Sequence, residues 1–222
     1  MPLLLLSRRR VVLSVLAVGF AAAAVATPRR AEAQPRERVV NLAMEDQVRT
    51  RRETGTLLGD VVVLIYAERT GAEAAHDLGK KIHVRFHPTA ASASDAEWLR
   101  QPVTGLPGWP AGTRVPNVHA IPVACLSEVP KAMHPVVRAR IRKESPMLPV
   151  WLDFDDTMDR HFGLVKGMPN VVILDARGRV HTVQSGRFDA RMLEELTATI
   201  DEIRMQSRPE FHTAVVPAAA TR

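Results

Sequence analysis

Residues 61–66 form an unbroken apolar run rich in β-branched side chains, opened by the turn pair Gly59-Asp60. That pattern predicts a central strand buried on both faces. Downstream, Ala72, Ala75, Leu78 and Ile82 recur at helical spacing and predict a helix over 71–85, weakened near its end by Gly79. Residues 118–126 return to strand character. A second helix is expected over 131–143, with Val136, Val137 and Ile141 as its apolar stripe and Arg138, Arg140 and Arg142 as a solvated face. Pro130 suits its start, and Pro135 must fall in the first turn to avoid a kink. Then come a strand at 150–154, a short helix at 157–162 and a strand at 170–174. Asp175-Ala176-Arg177-Gly178 reads as a tight hairpin turn that brings back a strand over 179–184. Asp189 caps a last helix in which Met192, Leu193, Leu196, Ile200 and Ile203 repeat at three- to four-residue spacing.

Between the first helix and the 118–126 strand the composition changes. Residues 88–117 are rich in Ser, Ala, Pro and Gly, with Trp98 and Trp109 embedded and five prolines from Pro88 to Pro116. They read as a loop insertion, long enough to suggest a functional or partly disordered segment. Residues 34–44 read as a polar linker and 207–222 as a disordered tail, which leaves 45–206 as the domain.

The amino terminus changes the meaning of the charge. Arg8, Arg9 and Arg10 precede the apolar residues 11–26, and Ala31-Glu32-Ala33 offers the small residues of a cleavage site. Residues 1–33 read as an export signal cleaved before Gln34, with Ala24-Val25-Ala26 as a competing site. Ser7-Arg8-Arg9-Arg10-Val11-Val12 is similar to a twin-arginine signal, and the general secretory route stays open beside it. A permanent span would need about 20 apolar residues, so the product is expected in the periplasm or exported, with no span left after cleavage. Five arginines and one glutamate in this segment carry +4 of the formal +6. The remainder is too weakly basic to support nucleic-acid binding.

Trp151-Leu152-Asp153, then Met158-Asp159-Arg160-His161-Phe162-Gly163-Leu164, Gly167-Met168-Pro169, the run at 171–174, the Asp175–Gly178 turn and Gly186 together resemble the C-terminal half of thioredoxin-fold proteins. The likeness is greatest to the exported redoxin and TlpA-like branch, and to the YtfJ-like group that lacks a CxxC pair. It implies a thioredoxin-like central sheet of four to five strands with helices on both faces. It also implies a cis bond before Pro169 and a groove in which the Met168 backbone pairs with an extended peptide.

Where that resemblance places the two thiols, this chain has Thr70-Gly71-Ala72-Glu73. A threonine hydroxyl and a carboxylate cannot exchange disulfides. The four residues also read as an ordinary helix start, Thr70 capping and Glu73 as its partner. The chain has one cysteine, Cys125, between apolar neighbours in a predicted interior strand. Such thiols are mostly packing groups, so it is the candidate catalytic residue only if the protein is a one-cysteine thiol peroxidase of the redoxin type. His76, His83 and His87 lack the convergence of a zinc site and read as surface or helix-end histidines. No metal or cofactor is expected, and GxGxxG, Walker and GxSxG patterns are missing. The expectation is a non-catalytic protein of the cell envelope that binds an unidentified protein or peptide through Thr70, Gly71, Ala72, Glu73, Met168 and Pro169.

Overall fold

A computed structural model describes residues 38–208. The expected signal over 1–33 lies outside the described residues, as do 34–37 of the linker and the tail from 209. The elements in chain order are β1 (Ala43–Asp46), β2 (Arg51–Glu53), β3 (Val61–Ala67), α1 (Ala72–Phe86), β4 (Val118–Cys125), α2 (His134–Glu144), β5 (Trp151–Asp153), α3 (Thr157–Phe162), β6 (Asn170–Leu174), β7 (Val180–Ser185) and α4 (Ala190–Gln206).

They form one seven-stranded sheet in the order β2-β1-β5-β4-β3-β6-β7. The nucleus is β4-β3-β6-β7: β3 and β4 run parallel through α1, β6 returns antiparallel to β3, and β7 pairs back as a hairpin. That arrangement is thioredoxin-like. The expected four to five strands become seven because the β1–β2 hairpin joins the sheet through β5.

Every residue of β3 is buried, as its unbroken apolar run requires. Alternation sends Val61, Val63 and Ile65 to one face, against Leu78, Ile82 and Phe86 of α1 and Leu196, Ile200 and Ile203 of α4. Val62, Leu64 and Tyr66 go to the other, against Leu42, Met44, Trp151 and Met158 of α3. Val40 and Leu42, read as linker, are 6% and 1% exposed and belong to this second layer. Each such aliphatic side chain contributes about 1.5–3 kcal/mol by leaving water.

Two helix readings change. Thr70 is not the N-cap of α1: it lies in the 3-10 turn Arg69–Gly71, Gly71 takes the cap position, and no side chain caps it. The turn itself supplies bonds, Gly71 N–H to Glu68 O and Ala72 N–H to Arg69 O. In α2 Pro135 does fall in the first turn, but no residue of the helix is buried and Val136 is 56% exposed. Its inner side is His134, Val137, Arg138 and Ile141. Arg138 is therefore not solvated: it donates to Asp46 O at 2.7 Å and Glu45 Oε2 at 2.6 Å, with its guanidinium 5.1 Å from the Phe154 ring. Asp189 does cap α4, accepting from Met192 N–H at 2.8 Å, and Gly178 (φ +73) closes the β6–β7 turn.

The insertion lies on the body in short 3-10 turns at Pro88–Ser92 and Trp98–Arg100. Arg204 of α4 fastens it. Its side chain is fully buried and donates from Nε to Pro116 O (3.0 Å), from Nη2 to Thr104 O (2.6 Å) and from Nη1 to Asp201 Oδ1 (3.0 Å). Removing one partner from a buried charged network typically costs about 3–5 kcal/mol. Arg204→Met keeps the volume and strands the Thr104 and Pro116 carbonyls, leaving Asp201 only its Arg85 partner. It is expected to lower the unfolding free energy by about 3 kcal/mol or more. Denaturant titration checks this; a loss under about 1 kcal/mol, the surface-pair range, would show that Arg204 is not the fastening.

Candidate functional site

The C-terminal edge of β3 brings together most of the expected groove. Gly71 lies against Met168: a Cβ there would come within 2.9 Å of the Met168 carbonyl carbon, so only glycine fits. Gly167 (φ +75) sits beside Thr70, with its own Cβ position 3.9 Å from Thr70 Oγ1. Thr70, Ala72 and Glu73 are exposed, Met168 is half-buried, and Gly71 and Pro169 are buried. The exposed rim is thus Thr70, Ala72, Glu73 and Met168, and Pro169 lies beneath it.

The expected cis bond is not present: the described residues contain no cis peptide. The left-handed Gly167 already reverses the chain, so the Met168–Pro169 bond keeps the trans form, favoured by about 0.5–1 kcal/mol. Asn170 holds the turn, donating from Nδ2 to Met168 O (2.9 Å) and Val165 O (3.2 Å) and accepting from Val165 N–H (2.9 Å). The Met168 carbonyl is therefore already engaged, and the thioredoxin-like fold rests on strand order and not on this proline.

Cys125 ends β4 at the same edge. The strand is interior to the sheet as expected, but Cys125 at its end is half-buried, and strand pairing sets it opposite Asp153. Burial pushes its thiol up to about 12, and Asp153, Glu68, Asp156 and Asp159 push the same way. A peroxide- or disulfide-reactive thiolate needs cations beside it; this thiol faces carboxylates. Asp153 also caps α3, accepting from Thr157 N–H (2.8 Å) and Met158 N–H (2.7 Å). Its sequence signal is an acid at the end of a strand, four residues ahead of a helix start. Tyr66, raised above its usual range by burial and then by Cys125 and Asp159, donates to Gly163 O.

The histidines lie at the opposite edge, and the surface reading of His83 and His87 is wrong. They are 4% and 2% exposed, with rings stacked at 4.3 Å. His83 Nε2 bonds Trp98 O at 2.9 Å, and the ring nitrogens of His87 face His83 O and Asn117 Oδ1. The insertion closed over them, which helix periodicity does not reveal. No group of three or more His, Cys, Asp or Glu that could hold a metal occurs among the described residues. Nearby, Asp60 accepts from Arg114 Nη2 (2.6 Å), His119 Nε2 (2.9 Å) and Asn117 N–H (2.7 Å). This network fastens the insertion's far end to the start of β3.

No family model and no curated protein matches the chain. Among solved structures it is similar to the exposed lipoprotein thioredoxin Etrx1 of Streptococcus pneumoniae, at 11% identity over 72% of this chain and 99% of that one, TM-score 0.47. A secreted thiol-disulfide isomerase of Corynebacterium glutamicum matches at 11% identity over 74% and 86%, TM-score 0.46. A peroxiredoxin-like protein of Aquifex aeolicus matches at 15% over 75% and 85%, TM-score 0.43.

The buried polar groups fix an acid response. Burial acts to raise Asp60, but the bonds from His119, Asn117 N–H and Arg114 outweigh it and hold the carboxyl at about 2. An unfolded aspartate titrates near 3.9, so this stabilisation is complete above about pH 4 and is lost as pH falls towards 2. His83, pushed down to about 4 mainly by burial, costs stability in an earlier window, from about pH 6.5 downward, because the unfolded chain takes the proton first. Asp60→Asn should lose about 2 kcal/mol at pH 7 and flatten the acid limb below about pH 4. Thermal melts across pH check this; an unchanged acid limb would contradict it.

Proposed function

We propose that this is an exported, thioredoxin-fold protein of the cell envelope without thiol chemistry, which binds another polypeptide at the Thr70–Glu73 and Met168 edge. The observation that carries the reading is the Cys125 environment. The lone thiol is pushed up to about 12 among carboxylates, and the helix start that would present a reactive pair offers Thr70 and Glu73. At neutral pH almost none of such a thiol is thiolate.

The remaining chemistry of the edge suits contact. Thr70, Ala72 and Glu73 are exposed at the start of α1, beside a half-buried Met168. Methionine is adaptable and suits variable apolar partners. The rim is held from behind by Asn170 and by the Gly71–Met168 approach, so the partner meets a rigid surface.

The native protein is expected to react slowly with a thiol reagent at neutral pH and quickly once unfolded. It should neither reduce insulin disulfides nor consume peroxide, and Cys125→Ser should leave its cellular role intact. A photo-crosslinker at Glu73 should capture a polypeptide that one at Glu194, on α4, does not. Fast native thiol reaction or loss of function in Cys125→Ser would replace this reading with a one-cysteine peroxidase; equal capture from both positions would move the binding surface elsewhere.

A further inference from the structure

The β1–β2 turn and α2 meet in a shallow cleft of about 170 Å³ lined by Gln47, Val48, Arg49, Pro135, Arg138, Ala139 and Arg142. Three of its seven lining residues are arginines and none is acidic. The acids nearby are already engaged. Asp46, 1% exposed, accepts from Val48 N–H, Thr50 N–H and Arg52; Glu45 takes Arg138, and Glu144 takes Arg140. Arg49 and Arg142 make no ion pair among the described residues and stand as net positive charge, with Lys143 exposed on the next position of α2.

The turn is built to present this charge. Asp46 accepts the two turn N–H groups, and Gln47 ties the hairpin to the end of α2, donating to Ser145 O and Leu148 O at 2.9 Å and accepting from Val150 N–H at 2.8 Å. Arg49 holds φ +67, an uncommon conformation for a side chain of this size. Around the arginines, apolar side chains project into solvent where a folded core has no use for them. Val48 is 54% exposed at the turn, Met133 is 45% exposed in the 3-10 turn just ahead of α2, and Val136 is 56% exposed in the first turn of α2.

We infer that this face docks on an anionic phospholipid surface, with a headgroup phosphate between Arg49 and Arg142 and with Val48 and Val136 entering the headgroup layer. Planar, weakly hydrated guanidinium groups match phosphate oxygens. Basic residues beside exposed apolar ones around a shallow cleft suit a soft, negatively charged partner. An acidic peptide would require a groove long enough for several residues, and this cleft holds one small group. Among the described residues no helix is long and apolar enough to cross a membrane.

The test is cosedimentation of the chain from Gln34, the product expected after export, with phosphatidylglycerol-containing vesicles and with pure phosphatidylcholine vesicles. The basic, apolar residues 1–33 would bind anionic vesicles by themselves and are left out of every sample. Arg49→Gly keeps the turn, because glycine accepts a positive φ, and Arg142→Gln lies on an exposed helix position; retained melting temperature shows that the pair folds. At about 1 kcal/mol per surface arginine, the double variant should bind anionic vesicles roughly thirtyfold more weakly. A charge-matched control, Arg100→Gln with Arg187→Gln, should bind as the parent does, and Val136→Ser should weaken binding that survives added salt. An equal loss in the control would reduce the effect to net charge. Unchanged binding by the double variant, binding of inorganic phosphate without any binding to anionic vesicles, or equally tight binding of polyglutamate would each overturn the lipid assignment.

Discussion

The buried guanidinium of Arg204 is the contact on which the layout of this protein depends. The segment 88–117 is long, proline-rich and short of apolar side chains, so it cannot hold itself on the sheet by burial alone. One side chain from the last helix reaches under it and satisfies carbonyls at Thr104 and Pro116, with Phe86 beneath the charge. Burial pulls the pKa of this arginine down and Asp201 opposes that pull, while the guanidinium stays charged and its donors are taken by the network. With the segment held at Thr104 and Pro116 by Arg204 and at Arg114 and Asn117 by Asp60, His83 and His87 are covered.

The two ends of the sheet consequently have different chemistry. At the N-terminal edge of β3 and β4, charge is compensated and enclosed: Asp60 with Arg114 and His119, Arg204 with Asp201. At the C-terminal edge, carboxylates gather around Cys125 with Lys166 as a bridging cation to Glu68 and Glu128. A cysteine between apolar neighbours in a sequence suggests a dry, neutral setting. The folded setting is half-buried and anionic, which depresses reactivity by a second route. The carboxylates come from β5, from α3 and the residue ahead of it, and from the residue after β3, so the apolar neighbours in sequence conceal them.

Much of the fold was legible because it rests on short-range periodicity. The run at β3, the β6–β7 turn with Gly178, and α4 with its Asp189 cap are local patterns that tertiary structure leaves unaltered. What was not legible depends on which face a neighbour covers. In α2 the valines and arginines alternate in a way that fits either orientation, and Glu45 and Phe154 decided it by drawing Arg138 inward. At Pro169 the sequence gives the residue but not the left-handed Gly167 that makes a trans bond sufficient. The approach of Gly71 to Met168 follows from the resemblance, whereas nothing local in the sequence signals the engagement of the Met168 carbonyl by Asn170.

The position of β3 bears on how the chain reaches this structure. It is the most apolar segment, yet its partners are distant: Val61 meets Val118 and Val62 meets Leu174. Until both loops close, a seven-residue stretch with high strand propensity and no internal charge has nothing to pair with. Loop-closure entropy makes such long-range pairing slow, and a waiting strand of this kind is a template for intermolecular association. Asp60 and Glu68 bracket it at either end, like-charged stops that repel a second copy in register. The same Asp60 that later anchors the insertion thus guards the strand while it is still alone.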